Sequence, residues 1–291
     1  EGGKATGVIA RSGDTDYTIS AKAVMLACGG FDGADWSKQL YAPGTVGWHT
    51  FSTPTNTGDG IELAREAGAL TLLKGGLSQI HLVGRDPLPL NDELSKLRMV
   101  NTGVFVTDLG YRCANESMTS QFDYFVPFVQ SGRKEFTIIC DSQQPADRMD
   151  LIKKAVEKGV ASEADTIEEL AEKLGLPAEA LAKTVERNNQ NYDNQRDDDF
   201  GKEPFRLSPV RKPPFFGVRT TGALLCTMDG IVINTQGQAL REDGSAIEGL
   251  YVTGNDSGGY YSMTYPNLST GNACGRTVTF ARMIAQNLAA Q

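Results

Sequence analysis

The sequence predicts an α/β domain built from both ends of the chain, with an α+β segment inserted between them. Three observations carry that prediction. An apolar strand, Ala23-Val24-Met25-Leu26-Ala27, runs directly into Cys28-Gly29-Gly30. A second, Gly249-Leu250-Tyr251-Val252-Thr253, runs into Gly254-Asn255 near the other end. Between them, short strands and loops rich in Asp, Asn and Ser give way to a block of helical pattern.

In chain order, residues 4–12 and 16–27 read as two strands joined by the turn formers Ser12-Gly13-Asp14. Thr57-Gly58-Asp59-Gly60 opens a helix over 61–69, with Ile61, Leu63, Ala64 and Ala67 at its apolar positions and Gly68 near its C-terminal end. Short strands are expected over 104–107 and 136–140, then helices over 144–158, 166–174 and 177–194. Thr166 followed by Glu169 is a capping-box pair. The polar run 194–199 is a loop, and Pro209 to Pro214 leads out of the helical block. Strands return over 230–234 and 249–253 around a turn at Gly237, and 271–290 reads as one amphipathic helix. These boundaries divide the chain into 1–76 with 225–291, the α/β domain, and 77–224, the inserted segment.

Composition narrows the function. A net charge of −8 argues against broad binding to nucleic acid or anionic membrane. No apolar run approaches the roughly 20 residues of a membrane span. Five cysteines (Cys28, Cys113, Cys140, Cys226, Cys274) lie scattered without C-x-x-C spacing, which reads as reduced thiols and favours a cytoplasmic location. Two isolated histidines, His49 and His81, do not make a metal site. The chain opens at Glu1 with no visible leader, as the interior of a longer protein would.

Three glycine-rich turns carry the chemistry: Cys28-Gly29-Gly30, Thr57-Gly58-Asp59-Gly60 and Gly254-Asn255-Asp256-Ser257-Gly258-Gly259. Paired glycines behind a buried strand let a ligand approach the backbone closely. A helix beginning near Gly271-Asn272 adds free backbone N–H groups and a partial positive charge, suited to an anion or an electron-rich carbonyl. Asp59 serves equally as a helix cap or as a ligand group.

In sequence order, Ala21 to Phe31, Thr57 to Ile61 with Ala67-Gly68-Ala69, Leu170 to Pro177, Thr184 to Asn189, Asp199-Phe200-Gly201-Lys202, Gly249 to Gly254 and Gly271-Asn272-Ala273 with Gly275-Arg276 resemble the conserved segments of the FAD-dependent fumarate reductase/succinate dehydrogenase flavoprotein superfamily. The resemblance covers nearly the whole chain. It implies a partial, Rossmann-like FAD-binding domain with an inserted cap domain. FAD would be the cofactor, lined by Gly29, Gly30, Gly58, Asp59, Gly254, Asn255, Gly271, Asn272 and Ala273. The family usually has Glu where Asn255 stands. Its N-terminal strand–GxGxxG–helix, which seats the pyrophosphate, is absent from the sequence, so a missing N-terminal half or a partner chain is expected to supply it.

Departures from the family point to the substrate. Arg112-Cys113-Ala114-Asn115-Glu116 resembles the family's R-F-x-N-E, but Ser120 stands where the proton-delivering Arg belongs. Leu225-Cys226-Thr227-Met228-Asp229-Gly230 replaces a segment with the carboxylate-binding His, and the second Arg clamp has no counterpart between Gly259 and Gly271. A small dicarboxylate needs such paired cationic donors. Ser262-Met263-Thr264-Tyr265-Pro266-Asn267 instead resembles the Thr-Tyr-Pro segment of 3-ketosteroid dehydrogenases, where the Tyr hydroxyl binds the substrate carbonyl. Tyr265 is therefore the candidate carbonyl donor, with packing as its alternative use. Tyr124, Tyr260 and Tyr261 are further candidates for a proton donor or an aromatic wall, with packing as their alternative use; Ser120 is a candidate proton donor, and His81 serves either substrate or structure.

The expected activity is an ene-reductase or dehydrogenase that moves hydride between FAD and a conjugated C=C beside a carbonyl, on a hydrophobic small molecule and with an unidentified electron donor. The alternatives are reduction of an unsaturated carboxylic acid, and a flavin-free binding fragment that needs a partner chain.

Overall fold

A computed structural model describes residues 3–74, 76–89, 91–98, 103–117, 133–261, 265, 269 and 271–290, with backbone alone at Gln79 and His81. The strands are β1 (Gly7–Ser12), β2 (Thr15–Ser20), β3 (Val24–Leu26), β4 (His49–Thr50), β5 (Thr71–Leu72), β6 (Leu77–Val83) and β7 (Val104–Val106). They continue with β8 (Glu135–Cys140), β9 (Ala161–Ala164), β10 (Phe215–Thr227), β11 (Gly230–Ile231), β12 (Gln238–Leu240) and β13 (Ala246–Val252). The helices are α1 (Asp35–Tyr41), α2 (Asp59–Glu66), α3 (Ala146–Glu157), α4 (Ile167–Leu174), α5 (Ala178–Asp193) and α6 (Asn272–Ala289). They form two compact units, Glu1–Gln79 with Leu224–Gln291, and Ile80–Ala223.

In the discontinuous unit, β13 pairs parallel with β3 (Leu250 opposite Val24, Val252 opposite Leu26) and antiparallel with β12. The stretch 16–27, expected as one strand, is two. β2 completes an antiparallel hairpin with β1, ending where Gly7 faces Ser20. The chain then leaves that ladder over 21–23 to enter the other sheet as β3. One extended run cannot serve two ladders of different direction without such a break. The strand expected over 230–234 stops at Ile231, because Asn234 Oδ1 accepts the N–H groups of Gln236 and Gln238 and closes a turn.

In the continuous unit, β8 lies antiparallel between β7 (Val104 opposite Ile139) and β10 (Phe216 opposite Cys140), and β9 covers the other side of β10. Helices α4 and α5 bury Leu170, Leu174, Leu181 and Val185 against Val104, Val106, Ile139 and Phe215. Thr166 caps α4 through the N–H of Glu169, 3.1 Å away, and Gly175 ends it in the left-handed region at φ 66°.

This unit also holds a buried ionic cluster. Arg112 reaches both carboxylate oxygens of Glu116 (2.9 and 2.8 Å) and Asp197 (2.8 Å), with its guanidinium 5.0 Å above the Phe200 ring. Lys202 Nζ adds a 3.2 Å contact to Glu116. Burial would lower the Arg112 pKa, but the bonds to Glu116 and Asp197 outweigh it and the pKa is raised.

Candidate active site

The three glycine turns meet in the discontinuous unit. The Gly30 carbonyl accepts the Gly58 N–H at 3.0 Å, and Gly33 donates to the Asn56 carbonyl at 2.8 Å. Asp256, from the third turn, accepts the backbone N–H of Cys28. It also lies against Gly60, where an added Cβ would stand 2.6 Å from Oδ1. Only a glycine admits that approach. Asp256 is fully buried, and its Oδ1 has no hydrogen-bond partner among the described residues. Burial pushes its pKa up to about 7, against the lowering pull of the Cys28 and Gly29 N–H groups, while the charge of Asp59 adds to the rise.

Behind the first turn runs a web that sequence reasoning missed. Thr227 Oγ1 accepts the Phe31 N–H at 2.9 Å and donates to Asp32 Oδ1 at 2.9 Å, and Thr50 donates to Asp32 Oδ2 at 2.5 Å. Asp32 and Thr227 are fully buried. A Cβ at Gly30 would fall 2.0 Å from Thr227 Oγ1, so the turn rests directly on this hydroxyl.

Two helices open toward this region behind left-handed glycines, α2 behind Gly58 (φ 91°) and α6 behind Gly271 (φ 80°). Neither has a side-chain cap, so first-turn N–H groups are left for other acceptors. Asp59 is thus not the cap of α2; its Oδ1 accepts the Thr57 hydroxyl at 2.9 Å.

At the α6 end the side chains are aromatic. Tyr265 is half-buried; burial raises its pKa, and the Ala273 backbone N–H opposes the rise. The Tyr261 ring lies 5.0 Å from that of Tyr265. Tyr260 donates its hydroxyl to Asn272 Oδ1 at 3.0 Å. Arg276, on the first turns of α6, donates to the carbonyls of Gly254 (2.7 Å) and Ser257 (3.2 Å) and to Asn255 Oδ1 (3.3 Å). Its guanidinium stands 5.1 Å from the ring centres of both Tyr260 and Tyr261.

Of the residues singled out in the sequence, Gly29, Gly30, Gly58, Asp59, Gly254, Asn255, Gly271, Asn272, Ala273 and Tyr265 all belong to this one unit. Ser120 and Tyr124 lie outside the described residues. The backbone of His81 belongs to β6 in the other unit, and its side chain is likewise outside what is described.

The profile of one protein family, described as an FAD binding domain, matches residues 1–271. The chain belongs to that family. It is 31% identical to the 3-oxosteroid 1-dehydrogenase of Mycobacterium tuberculosis, over 97% of this chain and 55% of that protein. It is 29% identical to the vinyl phenol reductase of Lactiplantibacillus plantarum, over 91% of this chain and 60% of that protein. Among solved structures, the open conformation of a flavocytochrome c3 fumarate reductase superposes with a TM-score of 0.68 at 26% identity, over 98% of this chain and 49% of that one. The chain therefore spans little more than half the length of these curated relatives.

The residues gathered at the site fit FAD. Two uncapped helix N-termini offer backbone donors to a carbonyl-edged ring. A Cβ built at Gly259 or Gly271 meets nothing within 4 Å among the described residues, which leaves room there for a flat ligand. Among the described residues no helix is long and apolar enough to cross a membrane.

Proposed function

We propose that this chain provides the flavin-ring and substrate-carbonyl part of an FAD-dependent ene-reductase or dehydrogenase acting on a C=C conjugated with a carbonyl. The observation that carries the reading is the convergence of three glycine turns through Asp256 beside the open N-terminus of α6 and Tyr265. Both curated relatives described above are by name redox enzymes, one of an oxosteroid and one of a vinyl phenol. Because no G-x-G-x-x-G occurs in the 291 residues, the proposal assigns the isoalloxazine and ribityl end to this chain and the pyrophosphate to other polypeptide.

FAD, when bound, supplies the hydride chemistry. Gly29, Gly30, Gly58, Asp59, Gly254, Asn255, Gly271, Asn272 and Ala273 line it in this reading. Tyr265 donates a hydrogen bond to the substrate carbonyl. A neutral phenol suits the task, because the bond strengthens as the oxygen gains enolate charge. Tyr124, Ser120 or a water protonates the α-carbon in this reading, and His81 is a further candidate for contact with the substrate.

The test is Tyr265→Phe in the flavin-loaded protein. A loss of roughly a hundredfold in kcat/KM for enone reduction, with the visible flavin spectrum unchanged, supports the reading. Full activity in that variant overturns it.

A further inference from the structure

Tyr261 differs from the other phenols of the site. It is 5% exposed, and its hydroxyl has no hydrogen-bond partner among the described residues. Leaving a buried hydroxyl unpaired is costly, so such a group asks what would satisfy it. Its neighbours do not. Tyr260 spends its hydroxyl on Asn272, and no hydrogen bond joins Tyr261 to Tyr265 among the described residues. Yet Tyr261 and Tyr265 sit ring to ring, with centres 5.0 Å apart and planes 35° from parallel. Both lie within electrostatic reach of Cys226 and Arg276.

The Arg276 guanidinium stands 5.1 Å from the Tyr261 ring centre, within cation–π range. It is a buried cation with no carboxylate against it among the described residues, and it binds carbonyls and Asn255 in place of one. Burial pushes the Tyr261 pKa up to about 12 while Arg276 opposes the rise, so the phenol stays protonated as a donor through neutral pH.

We propose that Tyr261 is a second hydrogen-bond donor to the substrate oxygen, acting beside Tyr265, with Arg276 as its positioning residue. This rests on the carbonyl reading above and narrows its ligand to a neutral conjugated carbonyl. Charge arriving on that oxygen would be shared by two phenols beside the cationic Arg276. A carboxylate is poorly served, because among the Arg276 nitrogens Nε alone lacks a partner and a carboxylate prefers paired donors.

The experiment measures equilibrium binding of cyclohex-2-enone to the oxidised, flavin-loaded protein by calorimetry, without reductant, together with the melting temperature of each ligand-free variant. Tyr261→Phe is expected to weaken binding about tenfold. It should leave the ligand-free melting temperature unchanged or raised, because an unpaired polar group is removed and the ring is kept. Replacing Tyr261 by 3,5-difluorotyrosine, a stronger donor of the same shape, should tighten binding. It decides the matter if Tyr261→Phe does not fold, since unchanged affinity there overturns the assignment. Should Tyr261→Phe bind like the unaltered protein while Tyr265→Phe binds weakly, the role of Tyr261 fails and the carbonyl reading stands. If both variants bind normally, or the unaltered protein does not bind the enone, the carbonyl reading falls as well.

Discussion

The carboxylate of Asp256 accepts the backbone N–H of Cys28 across 228 positions of sequence, while its second oxygen lies unpartnered against Gly60. With a folded pKa of about 7, the folded protein keeps a proton there that the unfolded chain releases near pH 4. The stabilisation from this group is complete below about pH 4 and is lost as pH rises toward 7. Asp256→Asn keeps the shape and removes the titration. The unfolding free energy of the variant minus that of the unaltered protein should grow between pH 4 and 7, by at most about 4 kcal/mol. Parallel pH profiles of the two proteins in urea unfolding would contradict this.

Gly30→Ala tests the contact beneath the first turn. The added methyl meets the Thr227 hydroxyl and must displace the bonds to Phe31 and Asp32. A cost of about 1–3 kcal/mol is expected from the overpacking, together with a lower flavin content after purification. Gly13→Ala is the control, because nothing lies within 4 Å of its Cβ and only its φ of 58° is unfavourable. It should cost about 1 kcal/mol and leave flavin content unchanged.

Arg112→Ala leaves Glu116 and Asp197 buried without their main cation. The loss should be about 3–5 kcal/mol, read from the urea midpoint of the 80–223 unit within the whole protein. Arg112→Lys should recover only part of it, since one ammonium cannot bridge both carboxylates as the planar guanidinium does. A midpoint unchanged in Arg112→Ala would mean that the cluster adds nothing to stability.

Burial holds the Tyr265 pKa above the ordinary phenol value. Enone binding that depends on its proton should therefore be flat from neutral pH up to about 10 and fall only beyond that. A midpoint near pH 7 in the binding profile would point to another group.

The glycine turns were legible because glycine at close spacing behind an apolar strand has few other uses, and the helices because their apolar periods are long. What joins the turns was not legible. Asp256 to Cys28 and Thr227 to Phe31 are pairings between distant parts of the chain, and a lone Asp or Thr carries no mark of its partner. β10 was missed because it starts directly after Pro213-Pro214 and mixes Gly217, Arg219, Thr220 and Thr221 into its apolar residues. Thr220 and Thr221 are buried rather than solvated, which only the flanking strands reveal. Tyr260, Tyr261 and Tyr265 look alike in sequence. Burial and an unmatched hydroxyl separate Tyr261 from the others.

Both tryptophans of the chain, Trp36 and Trp48, belong to the discontinuous unit, and the 80–223 unit has none. Trp48 is buried and Trp36 half exposed. Indole fluorescence is therefore an optical label for one unit only. A bound isoalloxazine would quench it by energy transfer, whereas far-ultraviolet dichroism reports the secondary structure of both units. Comparing the two signals along a single denaturant titration shows whether the units unfold together or in turn.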